Sequence, residues 1–291
     1  MTVIDTHVHV WDLARNPSSW LGPGHGDLFR SHEFPEVRDE MIRAGVDRAI
    51  LVQAGDTDAE KRYLVEVAAT HREVAGVVAP LPLETPGLVA RLLPTMVAEP
   101  LVVGIRVLAH TREDPDWLLR PEIRESLELV ADAGLPFEVV AVEPRRLELV
   151  SRLARAHPSL TIVLDHLGRP PLGDLAGMAG WRDRLAAVAR APRVIAKLSG
   201  LAGPRGDLAR WTSRQAGEAI GVALDLFGTD RVMFGSDWPM CRRAGGYRRV
   251  YDAVAEALSD LDARDARRVW AGNAMRVYGL RDAAVPREEE P

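Results

Sequence analysis

The sequence predicts an α/β protein folded as a single (β/α)8 barrel, the TIM-barrel architecture. Three observations predict it. Eight short apolar runs rich in Val, Ile and Leu recur along the chain, as buried parallel strands require. Amphipathic helical stretches lie between them, which favours crossover connections. The polar residues within the runs crowd towards their C-terminal ends, where such barrels place their chemistry.

The predicted strands are, in order, VIDTHVHV (3–10), DRAILVQA (47–54), VAGVVAPL (74–81), LVVGIRVL (101–108), FEVVA (137–141), TIVLDHL (161–167), RVIAKLSG (193–200) and VMFGSDWP (232–239). Between them, residues 121–133 put Ile123, Leu127 and Val130 on one helical face, and residues 144–157 do the same with Leu147, Val150 and Leu153. Gly45 and Gly134 follow helical stretches, where a C-terminal cap favours glycine. An open doubly wound sheet would carry a glycine-rich phosphate turn after its first strand. Here that strand runs into HVHVWD instead. With no linker or internal repeat, residues 1–280 read as one domain and residues 281–291 (RDAAVPREEEP) as a frayed, charged tail.

Composition narrows the function classes. The 291 residues are 47% apolar and 27% charged, with a net charge of −5. The arginines are scattered, so no nucleic-acid face is expected. The single cysteine, Cys241, excludes an internal disulfide and fits a reducing compartment. The sequence begins without a signal-peptide pattern. No apolar run reaches the roughly 20 residues of a membrane helix. The expectation is a cytoplasmic protein with a small-molecule partner and no membrane partner; a homo-oligomer stays open.

His7-Val8-His9 is the sharpest chemical signal. Residues two apart on a strand face the same way, so both imidazoles can enter the barrel mouth and ligate one metal ion. Asp237 closes the eighth strand, which neighbours the first in a closed barrel. A carboxylate there can bind metal or deprotonate water. His166 ends the sixth strand. Its neighbour Asp165 has the opposite parity and is expected to face the helix layer or brace the backbone. Arg106 and Lys197 sit inside apolar strands and can bind a carboxylate or stabilise an oxyanion, or else pair with Glu138 or Asp237. Gln53 can orient a substrate hydroxyl. Trp11 and Trp238, with Trp20 and Trp117, are candidates to stack on a sugar or planar ring. His25, His32 and His110 lie in loops on the same side, whereas His71 and His157 precede strands on the opposite face. Cys241 lacks a base beside it in sequence. Long loops at 11–35, 109–120 and 168–181 are expected to set specificity.

The strings DTHVHVWD, GIRVL, PFE, LDHLGRPP, KLSGL and FGSDWP occur in an order that resembles the amidohydrolase superfamily, and most closely its amidohydrolase-2 branch of lactonases. That branch includes sugar-acid lactonases and 2-pyrone-4,6-dicarboxylate lactonase. The resemblance spans residues 3 to about 280. It implies His7, His9, His166 and Asp237 as metal-type positions, Asp237 as the activator of water, and Arg106 and Lys197 as substrate contacts. Binuclear members have a modified lysine on strand four and a histidine on strand five. Here those regions offer Arg106 and Glu138. The resemblance therefore implies one zinc or other divalent ion, held by His7, His9 and Asp237 with Glu138 or His166, or a site that works without metal.

The expected activity is opening of a lactone ring, from a sugar acid or an aromatic-degradation intermediate, by Asp237-activated water. A zinc-dependent decarboxylase on the same barrel is the first alternative. A non-catalytic ligand-binding barrel is the second.

Overall fold

The computed structural model describes residues 1–16, 20–201 and 210–280. The predicted tail lies outside these described residues. Eight parallel strands form one sheet in sequential order: β1 (Ile4–Val8), β2 (Arg48–Val52), β3 (Val74–Ala79), β4 (Val102–Arg106), β5 (Phe137–Val140), β6 (Ile162–Asp165), β7 (Val194–Leu198) and β8 (Val232–Phe234). Each falls within a run predicted from sequence. Closure comes just beyond β8. Val8 bridges Trp238 in parallel, Asp237 N–H donates to the His7 carbonyl at 2.9 Å, and His9 N–H donates to the Trp238 carbonyl at 2.7 Å.

The outer ring comprises α1 (Phe34–Ala44), α2 (Asp58–Thr70), α3 (Pro86–Ala98), α4 (Pro121–Asp132), α5 (Pro144–Ala156), α6 (Leu175–Ala189), α7 (Ser213–Phe227) and α8 (Tyr247–Ala257). Local sequence starts and stops them. Proline opens the first turn of α1, α3, α4 and α5, where its missing N–H costs nothing. Thr212 and Gln215 form a reciprocal capping box on α7. Gly45 ends α1 in the left-handed conformation, φ 76°, as glycine does cheaply. Two short helices, α9 (Ala263–Arg267) and α10 (Asn273–Val277), follow α8. Among the described residues no helix is long and apolar enough to cross a membrane.

Strand alternation splits the core into two layers. Leu51, Val77, Ile105, Phe137, Leu164 and Phe234 face outward into the helices. Ile4, Ile50, Val78, Val163, Ile195 and Met233 face inward and fill the floor of the barrel. Ala271, Ala274 and Tyr278, at and around α10, pack against that floor from the N-terminal side. The ionisable residues occupy the interior above it.

Candidate active site

The first strand delivers its histidines through an irregularity. Ile4 belongs to the inward cluster, the β1–β2 register shifts between Asp5 and Val8, and Val8 and Val10 then belong to the outward one. His7 and His9 thereby point inward. Asp5 stabilises this kink. Its Oδ1 accepts from the backbone N–H groups of His7 (3.0 Å) and Ser236 (2.8 Å), and its Oδ2 from the Tyr247 hydroxyl (3.0 Å). One buried carboxylate thus ties β1 to the segment carrying Asp237. A side chain at Gly235 would put a Cβ 2.8 Å from that of His7, so only glycine allows this approach.

Asp237 adopts a left-handed backbone, φ 61°, rare for a residue with a Cβ and often found at functional sites. Its Oδ1 lies 3.9 Å from His7 Nε2, 3.7 Å from His9 Nε2 and 3.8 Å from His166 Nε2. The first, sixth and eighth strands converge on one point, as the sequence predicts.

β6 departs from expectation. Asp165 does not face the helices. It is fully buried inside the barrel, 3.3 Å from His7 Nδ1 and 3.5 Å from both Arg106 and Lys197. Alternation counted from the inward Val163 puts Asp165 inside. His166 is the residue out of phase, and it enters the site only because the chain turns left-handed there (φ 57°). Its ring rests over Gly200, where a Cβ would come within 2.6 Å. Its Nδ1 meets Ser199 Oγ at 2.9 Å. The same turn continues through Arg169 (φ 56°), which lines the cavity and was not singled out from sequence. The tight Gly168-Arg169-Pro170-Pro171 string is the signal that could have marked it.

The remaining candidates separate by depth. Arg106 reaches the cavity and places Nη1 3.0 Å from His7 Nε2. Lys197 and Glu138 do not line it. Lys197 is level with the floor residue Met233 in the β7–β8 register, and its ammonium pairs with Glu138 at 2.6 Å. Strand position, rather than residue type, sets them beneath the cavity lining, where the two side chains pair with each other. Gln53 is likewise buried, donating to Asp56 and to the Arg106 carbonyl, both at 3.0 Å. Its amide nitrogen thereby braces β4. Trp238 follows the inward Asp237 and so packs outward, against His32 and with its Nε1 donating to Glu40. Trp11 and Trp20 do line the cavity, as does His110. Trp117 is buried beneath Arg112.

The cavity measures about 170 Å³. Its lining combines the polar side chains of His9, Arg106, His110, His166, Arg169 and Asp237 with the largely apolar ones of Trp11, Trp20, Leu108, Val140, Val142 and Met240. All three long loops contribute to it. Burial raises the Asp237 carboxyl to about 7, against the opposing pull of Arg169 and Arg106. Burial and then Arg106 lower His9 to about 3. His7 and His166 fall well below the usual imidazole value, chiefly through burial. For Asp165, burial pushes upward, but Lys197 and Arg106 outweigh it and hold the carboxyl low. The site thus presents neutral imidazoles beside one carboxylate poised near neutrality.

The donor set suits a single metal ion. His7, His9 and Asp237 each offer an atom within 4.8 Å of the others, as do His7, Asp165 and His166. A tetrahedral zinc at about 2.0–2.1 Å from each ligand wants donors roughly 3.3 Å apart. The His7–His9 Nε2 separation is 3.1 Å, and Asp237 stands 3.7–3.9 Å from both. The backbone of Val52, 2.8 Å from His9 Nδ1, accepts that proton and leaves the Nε2 lone pair facing Asp237.

The chain resembles known proteins along nearly its whole length. The amidohydrolase family pattern matches residues 4–280. A Burkholderia ambifaria protein named L-fucono-1,5-lactonase is 32% identical over 95% of each chain. A second protein of that name, from Burkholderia multivorans, is 31% identical over 98% of each. The solved structure of a Burkholderia multivorans amidohydrolase with bound Hepes is 30% identical, covers 97% of this chain and 100% of its own, and superposes with a TM-score of 0.86. The same protein with bound zinc gives 0.84.

Proposed function

The chain belongs to the amidohydrolase family, and from that premise we propose that it hydrolyses a sugar-acid lactone of the L-fucono-1,5-lactone kind, with Asp237 as the base. The observation that carries the reading is one carboxylate, raised to about 7, lining the same cavity as His9, His166, Arg106 and Arg169. A base works best when its pKa lies near the working pH. The relatives' printed activity supports the lactone ester as substrate.

In this reading the lactone ring stacks on the wall of Trp11 and Trp20. Asp237 takes a proton from water as the water oxygen attacks the ester carbonyl. Negative charge builds on the carbonyl oxygen, and Arg106 and Arg169 supply fixed positive charge to it and to the nascent carboxylate. The C–O bond to the ring oxygen then breaks, and Asp237 returns its proton to that oxygen. The product hydroxy acid ionises, releasing one proton to solvent per turnover. His7, His9 and Asp237 would hold a zinc or other divalent ion, which when bound supplies Lewis acidity to the carbonyl or the water. His166, fixed by Ser199, orients the carboxylate. A cytoplasmic location belongs to the same proposal.

The test is acid release followed with a pH indicator across a panel of aldonolactones, with and without added zinc. L-fucono-1,5-lactone and related sugar-acid lactones should be opened. A panel without turnover above the spontaneous rate under either condition would contradict the assignment.

A further inference from the structure

His110 lines the cavity but has no task in opening the ester. It sits in a tight turn, Ala109–Thr111, just past the end of β4. Arg146, buried on α5, clamps that turn on both sides of the histidine. Its Nη1 donates to the Ala109 carbonyl at 2.8 Å and its Nη2 to the Arg112 carbonyl at 2.9 Å. The ring is therefore held in place by backbone contacts, while its buried Nδ1 has no hydrogen-bond partner among the described residues. Burial, then Arg106, Arg169 and Arg146, lower the imidazole to about 4, so it is uncharged at neutral pH.

The other neutral groups of the lining are committed. The indole N–H groups of Trp11 and Trp20 donate to the carbonyls of Arg30 and Ala54, both at 2.6 Å. The Thr111 hydroxyl is turned back to the Leu108 carbonyl at 2.8 Å. His9 and His166 engage the Val52 carbonyl and the Ser199 hydroxyl through Nδ1, and their Nε2 atoms stand 3.7 and 3.8 Å from Asp237 Oδ1. The two arginines are cations that only donate.

A sugar-acid lactone brings hydroxyls that ester opening does not use. A hydroxyl buried in the cavity needs an acceptor for its proton as well as a donor for its oxygen, and leaving it unmatched is costly. Arg106 and Arg169 serve the oxygen. Asp237 is taken by the attacking water. A neutral imidazole offers one lone pair and one N–H, which matches a hydroxyl from either side. We propose that His110 is a specificity-determining residue, whose imidazole hydrogen-bonds a hydroxyl of the bound lactone and makes the site prefer hydroxylated lactones to unsubstituted ones. The inference deepens the lactonase reading and rests on it for its kinetics; the hydroxyl contact itself is a matter of binding.

The experiment compares the wild-type chain with His110→Phe, which keeps a planar ring and removes both nitrogens. Each protein is assayed on L-fucono-1,5-lactone and on δ-valerolactone, a lactone ring of the same size without hydroxyls. The readout is the ratio of the two kcat/KM values. His110→Phe should lower that ratio about tenfold, chiefly by raising KM for the sugar lactone. His110→Leu should do the same and serves if the first variant does not fold. A purely structural role would move both lactones by one factor and leave the ratio at its wild-type value. An unchanged ratio in a folded variant therefore overturns the proposal. Where a lactone is not opened, dissociation constants from calorimetry supply the ratio. If the wild-type chain opens neither, the assigned reaction fails, while the binding ratio still decides the hydroxyl contact.

Discussion

The floor and the mouth of this barrel are made by the same eight strands but follow opposite rules. The floor is apolar: Ile4, Ile50, Val78, Val163, Ile195 and Met233 close on one another and on the segment around α10. The mouth, a few residues further along those strands, buries His7, His9, Arg106, Asp165, His166 and Asp237 within hydrogen-bond or ion-pair reach of one another. It also holds left-handed backbone at His166, Leu167, Arg169 and Asp237, all side-chain-bearing residues. Strained backbone and buried charge both oppose folding. Their concentration at one end, with the Lys197–Glu138 pair alone of these groups set at floor level, teaches that the floor supplies the stability the mouth draws on.

Substitutions at the two ends should therefore fail in different ways. The largest effect is expected on the floor. Met233→Ala leaves a cavity among fully buried side chains and should destabilise the protein by about 2–5 kcal/mol, read as a shift in the urea midpoint. The folded fraction should keep near-normal kcat/KM. A selective loss of turnover with full stability would break the division between the ends. Next comes Arg169→Ala at the mouth. It should raise KM about tenfold or more with little change in stability, since Arg169 lines the cavity and has no hydrogen-bond partner at its Nε. An unchanged KM would remove Arg169 from the substrate's surroundings.

The smallest effect concerns Glu60, which braces the rim. It accepts from Ala54 N–H at 2.7 Å and from the Asn16 amide, and burial pushes its carboxyl to about 7. A carboxyl raised above its unfolded value near 4.5 contributes stability that is fully present below that value and lost as pH climbs through about 7. From pH ~5 to ~8, the wild-type melting temperature should fall more than that of Glu60→Gln. Parallel pH profiles for the two proteins would contradict it.

These contrasts also mark how far the sequence could be read. All eight strands are legible because runs of β-branched residues announce buried parallel strands whatever their surroundings. That β1 and the segment carrying Asp237 are neighbours follows from barrel closure, whereas the inward aim of His7 and His9 needs the kink in β1. His166 is not legible by alternation, because the chain turns left-handed at it and breaks the period of two, and counting parity from His166 is what misplaces Asp165. Lys197 and Glu138 announce a buried charge but not its depth, which depends on strand stagger. The place of Tyr278 gives no local signal, since it arises where the segment around α10 meets the floor. The family resemblance recovers the position of the site more readily than its layering.

The central claim is that Asp237 is the base of a lactone hydrolase, and its pH–rate profile tests this most directly. With metal-free protein, kcat/KM for L-fucono-1,5-lactone should rise with pH as Asp237 loses its proton near 7. Asp237→Asn should remain folded, lose at least about a hundredfold in kcat/KM and show no such rise. An Asp237→Asn protein that retains wild-type turnover, or the same rise through neutrality, would contradict the account.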